Sequence, residues 1–189
     1  METKTAPVKA PGGSFLITQA APDSVFVPEE LNDDQRLVRQ TVEQFVEHEV
    51  TPRTAELEQH GWDLSRTLLR QAGELGLLGA DVPEQYGGGG LDKITSLVIK
   101  EAMGAASSFG VSVAAHTGIG TLPIVFFGTE EQKQRYLPGL ATGALVASYA
   151  LTEPTAGSDA MAPLVAGASG SDPGVHLCPS NRVRVTSLQ

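Results

Sequence analysis

The sequence predicts a mainly α fold, in which a helical domain over residues 31–143 gives way to the first strand of a β domain. Three observations carry that prediction. Apolar residues recur at helical spacing through much of 31–143. Helix-capping residues stand at Asn32, Asp92 and Thr129. After Gly143 the texture changes, and LVASYAL (Leu145–Leu151) has the length of a strand.

The first helix follows Leu31. Asn32 is its N-cap, and Gln35 stands where a capping box places Glu or Gln. Asp33 and Asp34 complement the positive end of the helix dipole. Val38, Val42, Phe45 and Val46 share one face, and Thr51-Pro52 is the expected end. A second helix runs from about Ser65 to Leu75, with Leu68, Leu69, Ala72 and Leu75 as its stripe and Gly76 as its C-cap. GADVPEQYGGGGLD is a loop. Asp92 then caps a third helix that buries Ile94, Leu97, Val98 and Ala102. Ser107–Phe127 makes two short apolar helices, broken near Gly118–Thr121. Thr129-Glu130-Glu131-Gln132 is a second capping box, and its polar helix is expected to stop at Pro138. Beyond Ala162 the periodicity is lost, and VRVTSL is a short strand with nothing obvious to pair with.

Composition narrows the function. The chain has 189 residues, 41% hydrophobic and 19% charged, which suffices for a buried core. A net charge of −9 argues against nucleic acid and against an anionic membrane surface. It is ordinary for a cytoplasmic enzyme. One cysteine, Cys178, makes no internal disulfide, and one Cys with four scattered His is a poor zinc set. The N-terminus lacks the apolar core of a signal peptide. Ala102–Thr129 has no Asp, Glu, Lys or Arg, but its glycines, proline and histidine suit buried short helices better than a membrane span. In that uncharged run, His116 is expected to be a satisfied core residue.

LTEPTAGSD (Leu151–Asp159) is a sharp turn after the strand. Pro154 fixes its own φ, Gly157 permits a close backbone approach, and Thr152 and Ser158 offer hydroxyls. Such a turn can bind carbonyl or phosphate oxygens. A plain loop held by Asx and Ser/Thr turns is the alternative that physics alone favours. There is no G-x-x-x-x-G-K-[ST], no G-x-G-x-x-G and no G-x-S-x-G.

ALTEPTAGSDAMA (Ala150–Ala162) resembles the signature of the acyl-CoA dehydrogenase family. VPEQYGGGGLD (Val82–Asp92) is similar to that family's Pro-Glu-x-Tyr-Gly-Gly-x-Gly loop, and GTEEQKQRYLPGLATG (Gly128–Gly143) to the helix and turn before its flavin motif. The three blocks stand in the family's order. The resemblance implies an N-terminal helical domain, a middle β domain and a C-terminal helical bundle, usually in a homo-oligomer. It therefore divides the chain into an extended, mobile segment (1–30), the helical domain (31–143), the start of the β domain (144–162) and a divergent, disordered tail (163–189).

The resemblance also implies FAD-dependent oxidation of a fatty acyl-CoA thioester to trans-2-enoyl-CoA, with electrons leaving to an electron-transfer flavoprotein. A glutamate takes the α-proton while the β-hydride passes to the flavin, and hydrogen bonds to the thioester carbonyl stabilise the enolate-like charge. It assigns the cofactor to Tyr149, Ala150, Leu151, Thr152, Glu153, Pro154, Thr155, Ala156, Gly157 and Ser158, with Ser158 also touching acyl-CoA. Glu153 is not the base, because the family's base belongs to the C-terminal bundle; no catalytic residue is named. AAHTGIGTLPIVFFGTEEQKQRYLP and the GGSFL stretch look most like the long- and very-long-chain branch, and Gly118 and Gly120 are expected to leave room for a long acyl tail. The resemblance stops after Ala162, and a truncated or frame-shifted product, inactive alone, is the expectation. The competing reading is a catalytically dead helical module that binds a protein partner or homologue, without nucleic-acid binding or an integral membrane segment.

Overall fold

The computed structural model describes residues 9–10, 12–59, 61–150, 175–176 and 182–187, the last two stretches and Ala150 by backbone alone. Two units divide between Leu37 and Val38.

The first unit is not extended as expected. Ser14–Leu16, Pro22–Ser24 and Pro28–Glu30 are short 3-10 turns, two of them begun by a proline whose fixed φ suits that position. Lys9 ties the second to the third: its Nζ donates to the carbonyl of Asp23 (2.9 Å) and to Glu30 Oε1 (2.5 Å). Helix α1, Asp33–Phe45, begins here with the expected box. The Gln35 N–H donates to Asn32 Oδ1 (2.8 Å), and the Asn32 N–H donates to Gln35 Oε1 (3.1 Å).

In the second unit α1 runs into a wide turn, Val46–Val50, in which the backbone bonds skip five residues instead of four. The chain does not leave the helical path at Pro52. It continues through Thr51–Arg53 into α2, Thr54–Glu58. The wide turn places Pro52 in a new first turn, where a missing N–H loses no partner. Helix α3, Trp62–Glu74, closes as expected on Gly76, which has φ +75°: Leu77 N–H donates to Ala72 O and Gly76 N–H to Gly73 O. Leu75, placed on the buried stripe by spacing, is exposed. It is the last residue before the reversal, so it has turned off the face its spacing assigned.

Helices α4 (Lys93–Met103), α5 (Ser107–Ala115) and α6 (Leu122–Phe127) follow, with α5 and α6 joined by a second wide turn, His116–Gly120. By length and composition the run Lys93–Phe127 is apolar enough to cross a membrane. Here it supplies core residues such as Ile99, Met103, Phe109 and Ile124. In α4 the buried face is rotated from the expected one. Thr95, Ser96, Val98 and Ile99 are buried, while Leu97 is exposed. Polar anchors cause the rotation: Thr95 Oγ1 donates to Asp92 and Ser96 Oγ to Asp81, both at 2.6 Å.

Helix α7, Glu130–Ala141, has the expected capping box, with Thr129 N–H donating to Gln132 Oε1 (2.9 Å) and Gln132 N–H to Thr129 Oγ1 (3.3 Å). It does not stop at Pro138. An internal proline costs about 3 kcal/mol. The turn carrying it buries Leu137 and Leu140 completely, and each contributes about 1.5–3 kcal/mol, which offsets the loss.

Two apolar clusters form the core. The larger gathers side chains from α1 to α5, with Phe45 against Phe109 at 6.3 Å between centroids. The smaller consists of Val82, Tyr86, Ile124, Leu137, Leu140, Ala141 and Ala147, with Leu145 and Tyr149 packed against it. Strand β1, Leu145–Ala150, lies on that smaller cluster. VRVTSL does find a partner: β3, Arg182–Ser187, pairs antiparallel with β1 from Leu145↔Ser187 to Ala150↔Arg182. Strand β2, Val175–His176, pairs with the other side of β3. The stretch expected to be a disordered tail thus supplies two strands among its described residues. Long-range pairing of this kind leaves no local signature in a sequence rich in Gly, Ser and Pro.

Candidate functional site

Strand β1 leads into the segment singled out by its turn chemistry, so its seat is what the helical domain contributes to a site. Two glycines make the seat. A Cβ on Gly139 of α7 would lie 2.7 Å from Leu145 Cγ, and one on Gly120 would lie 2.8 Å from both the Cβ and the carbonyl oxygen of Ala147. Only hydrogen at those positions lets the strand approach so closely. The smallness of Gly120 is therefore used by the strand and leaves no room for an acyl tail, contrary to expectation. Gly118 has nothing within 4 Å of its Cβ position.

His116 supplies the polar half of the seat. It is 1% exposed. The Ala147 N–H donates to its Nδ1 (3.1 Å), and its Nε2 lies 3.0 Å from the carbonyl of Leu140. A nitrogen that accepts carries no proton, so Nδ1 is bare and Nε2–H donates to Leu140. Burial pushes the imidazole below its ordinary value of 6.5, the Leu140 bond opposing in part, so the ring is neutral at pH 7. The expectation of a satisfied core histidine holds. What composition did not show is that it joins α7 to β1.

Ala147 stands opposite Val185, yet its N–H goes to His116 and its carbonyl lies beside Gly120. In an antiparallel pair both groups of such a residue point away from the partner strand. β1 is thus paired with β3 on one edge and, at Ala147, met by the wide turn on the other. Hydroxyls mend the wide turn: Thr121 Oγ1 donates to the His116 carbonyl (2.7 Å) and Thr117 Oγ1 to that of Val113 (2.9 Å).

The glycine loop is held independently. Asp81 accepts from Ser96 Oγ and from Lys100 Nζ (3.0 Å), and it pairs with Lys93. Burial alone would raise its carboxyl; the bonds from Lys93, Ser96 and Lys100 outweigh burial and hold it below the usual range. Tyr86 OH donates to Glu130 Oε2 (2.8 Å), joining the loop to the first turn of α7. Sequence reasoning missed both ties. The only signal was Ser96 and Lys100 at i,i+4 on one helix face.

Of the expected cofactor residues, Tyr149 is half-buried against the smaller cluster and Ala150 ends β1 opposite Arg182. Leu151, Thr152, Glu153, Pro154, Thr155, Ala156, Gly157 and Ser158 lie outside the described residues, as does Cys178.

The described residues define a class by fold: a helical domain that ends in a strand seated against its last helices. Comparison with known proteins gives the family. Residues 32–144 match the model described as acyl-CoA dehydrogenase, N-terminal domain, and the chain belongs to the acyl-CoA dehydrogenase family. It is 53% identical over 161 residues to a probable acyl-CoA dehydrogenase of Bacillus subtilis, spanning 85% of this chain and 27% of the relative. It is 37% identical over 131 residues to the mitochondrial isovaleryl-CoA dehydrogenase of Bos taurus, spanning 68% of this chain and 31% of the relative. Among solved structures, an acyl-CoA dehydrogenase complexed with FAD from Bacillus anthracis superposes with a TM-score of 0.75 at 52% identity, covering 80% of this chain and 26% of that one. The chain thus spans about a quarter to a third of the length of these relatives. An isovaleryl-CoA enzyme among them means that the matches do not single out a long-chain branch.

Proposed function

We propose that this chain forms the N-terminal helical wall and the flavin-facing turn of an FAD-dependent acyl-CoA dehydrogenase that converts a fatty acyl-CoA to its trans-2-enoyl-CoA. The observation that carries this is the seat of β1, a strand that ends at Ala150, where the family signature begins. Two features support the reading: Tyr149 packs on the apolar cluster, and the Thr152 and Ser158 hydroxyls are of the donor type from which a ring carbonyl accepts. When bound, FAD supplies the two-electron acceptor for a hydride from the substrate β-carbon. The chain's own part is to orient the ring through residues 149–158, to present Ser158 to acyl-CoA, and to exclude water with the helical wall. The base comes from the C-terminal bundle that the family implies. An electron-transfer flavoprotein as acceptor, a homo-oligomer, a cytoplasmic setting and preference for long acyl chains complete the proposal. The last rests on GGSFL and the block Ala114–Pro138.

Visible absorption of the purified chain, with and without FAD, tests the reading. A bound-flavin spectrum near one FAD per chain is expected. Colourless protein unchanged by FAD would remove the cofactor role from this chain.

A second reading has its own observation. Val111, Ile119, Phe126 and Phe127 are exposed on α5, α6 and the turn between, Phe127 at 77%. An apolar surface of this kind suits a module that binds a homologous chain without catalysis. Light scattering that shows a monomer, with no association to a full-length homologue, would remove it.

A further inference from the structure

His116 has no role in the family resemblance, yet among the described residues its side chain bonds the backbone of β1. Its two contacts reach elements that are remote in the chain: Leu140 at the end of α7 and Ala147 in the middle of β1. Gly120, four residues on in the same wide turn, packs so closely on Ala147 that a Cβ there would meet its carbonyl. One turn therefore bonds the N–H of one β1 residue and lies against its C=O. Tyr149, where the flavin segment begins, is two residues further along the strand.

We infer that His116 is a positioning residue for the flavin-facing segment: as the neutral Nε2–H tautomer it clamps β1 to the end of α7 and so sets where the strand hands the chain on after Ala150. This rests on the flavin reading above for its consequence and on geometry for its mechanism. The clamp needs a group that accepts on one side and donates on the other, and neutral imidazole is such a group. The protonated ring carries N–H on both nitrogens. Nδ1 then faces the Ala147 N–H with no lone pair, and the clamp opens on the strand side first.

Helices α5 and α6 carry no ionisable side chain, and β1 carries only Tyr149. Helix α7 carries Glu130, Glu131, Lys133, Arg135 and Tyr136, and β3 carries Arg182 and Arg184. The contacts described for the imidazole are the two backbone groups alone.

Two substitutions separate clamping from packing. In His116→Gln the side-chain amide still offers one acceptor and one donor but does not titrate. In His116→Phe the ring volume stays and both hydrogen bonds go. Amide hydrogen exchange of the full chain without FAD is the primary readout, with imidazole nitrogen shifts by NMR to report the tautomer. The nitrogen shifts are expected to show bare Nδ1 and protonated Nε2 at neutral pH. His116→Phe is expected to speed exchange at Ala147–Tyr149 by about 10- to 100-fold, while α3 and α4 keep their protection. His116→Gln is expected to keep the strand protected and to abolish its loosening in mild acid. Equal loss of protection in α3 and β1, unchanged exchange in His116→Phe, or an Nδ1–H tautomer would each overturn the inference. FAD titration then gives the consequence, with weaker binding in His116→Phe than in His116→Gln. If the unaltered chain takes up no FAD, the flavin reading fails, and the exchange comparison still decides whether His116 holds the strand.

Discussion

The two wide turns, Val46–Val50 and His116–Gly120, are built alike and used differently. Each is followed by a threonine whose hydroxyl donates back across the turn, Thr51 to the Val46 carbonyl (3.0 Å) and Thr121 to the His116 carbonyl (2.7 Å). Each has a proline shortly after, Pro52 or Pro123, which begins the next helical segment. The first turn buries Val46 and Val50 in the larger cluster. The second buries His116, Thr117 and Gly120, of which His116 and Gly120 meet a strand. The same backbone device thus packs a core in one place and positions a segment in the other. The side chains it carries decide which.

The contrast is broken most severely at Gly120. In Gly120→Val the new Cβ meets Ala147 at 2.8 Å, against backbone on one side and a second Cβ on the other, so the strand must shift. Urea unfolding should show a loss of about 3 kcal/mol, the upper part of the overpacking range, together with loss of any FAD affinity. In the first turn, Val50→Ala removes apolar volume from a fully buried site. A loss of about 2 kcal/mol is expected in the same experiment. Strand protection and cofactor affinity should change only in proportion to global stability, and a selective effect on β1 would erase the distinction between the turns.

Acid sharpens the comparison, because only the second turn buries a titratable ring. Folded His116 binds its proton less readily than the unfolded chain, whose value is near 6.5. As pH falls below that value the unfolded state takes up the proton first, so stability is full above it and is lost on the way down to the folded value. Urea midpoints should therefore fall as the pH drops below the unfolded value, and His116→Gln should flatten that slope. A slope unchanged in the variant would place the acid sensitivity elsewhere. The smallest effect separates the two threonines. Thr121 is buried and Thr51 is exposed, so Thr121→Val should lose about 1–2 kcal/mol and Thr51→Val at most about 0.5 kcal/mol by thermal unfolding.

Local chemistry made much of the helical domain legible. Asn32 with Gln35, Asp92, Thr129 with Gln132, and Gly76 each act on backbone groups within a few residues, and each does what its spacing announces. The failures share a cause. Pro52 and Pro138 were expected to end helices, but a wide turn absorbs one and buried leucines offset the other. Leu97 was placed inward by period, but the Asp81–Ser96 bond rotated its helix. Each outcome depends on a neighbour that periodicity does not see.

By itself the sequence determined the order of the helices, their caps, the glycine loop and the family motifs, because those are set by contacts along a few residues of chain. The tertiary structure alone decided that His116 clamps a strand, that Gly120 serves β1, and that VRVTSL has a partner. The His116 bonds join residues 24 and 31 positions apart, and the β1–β3 ladder joins residues separated by a longer loop still. Which hydrogen-bond groups meet across such separations is fixed only when the helices have packed and buried polar groups must be paired.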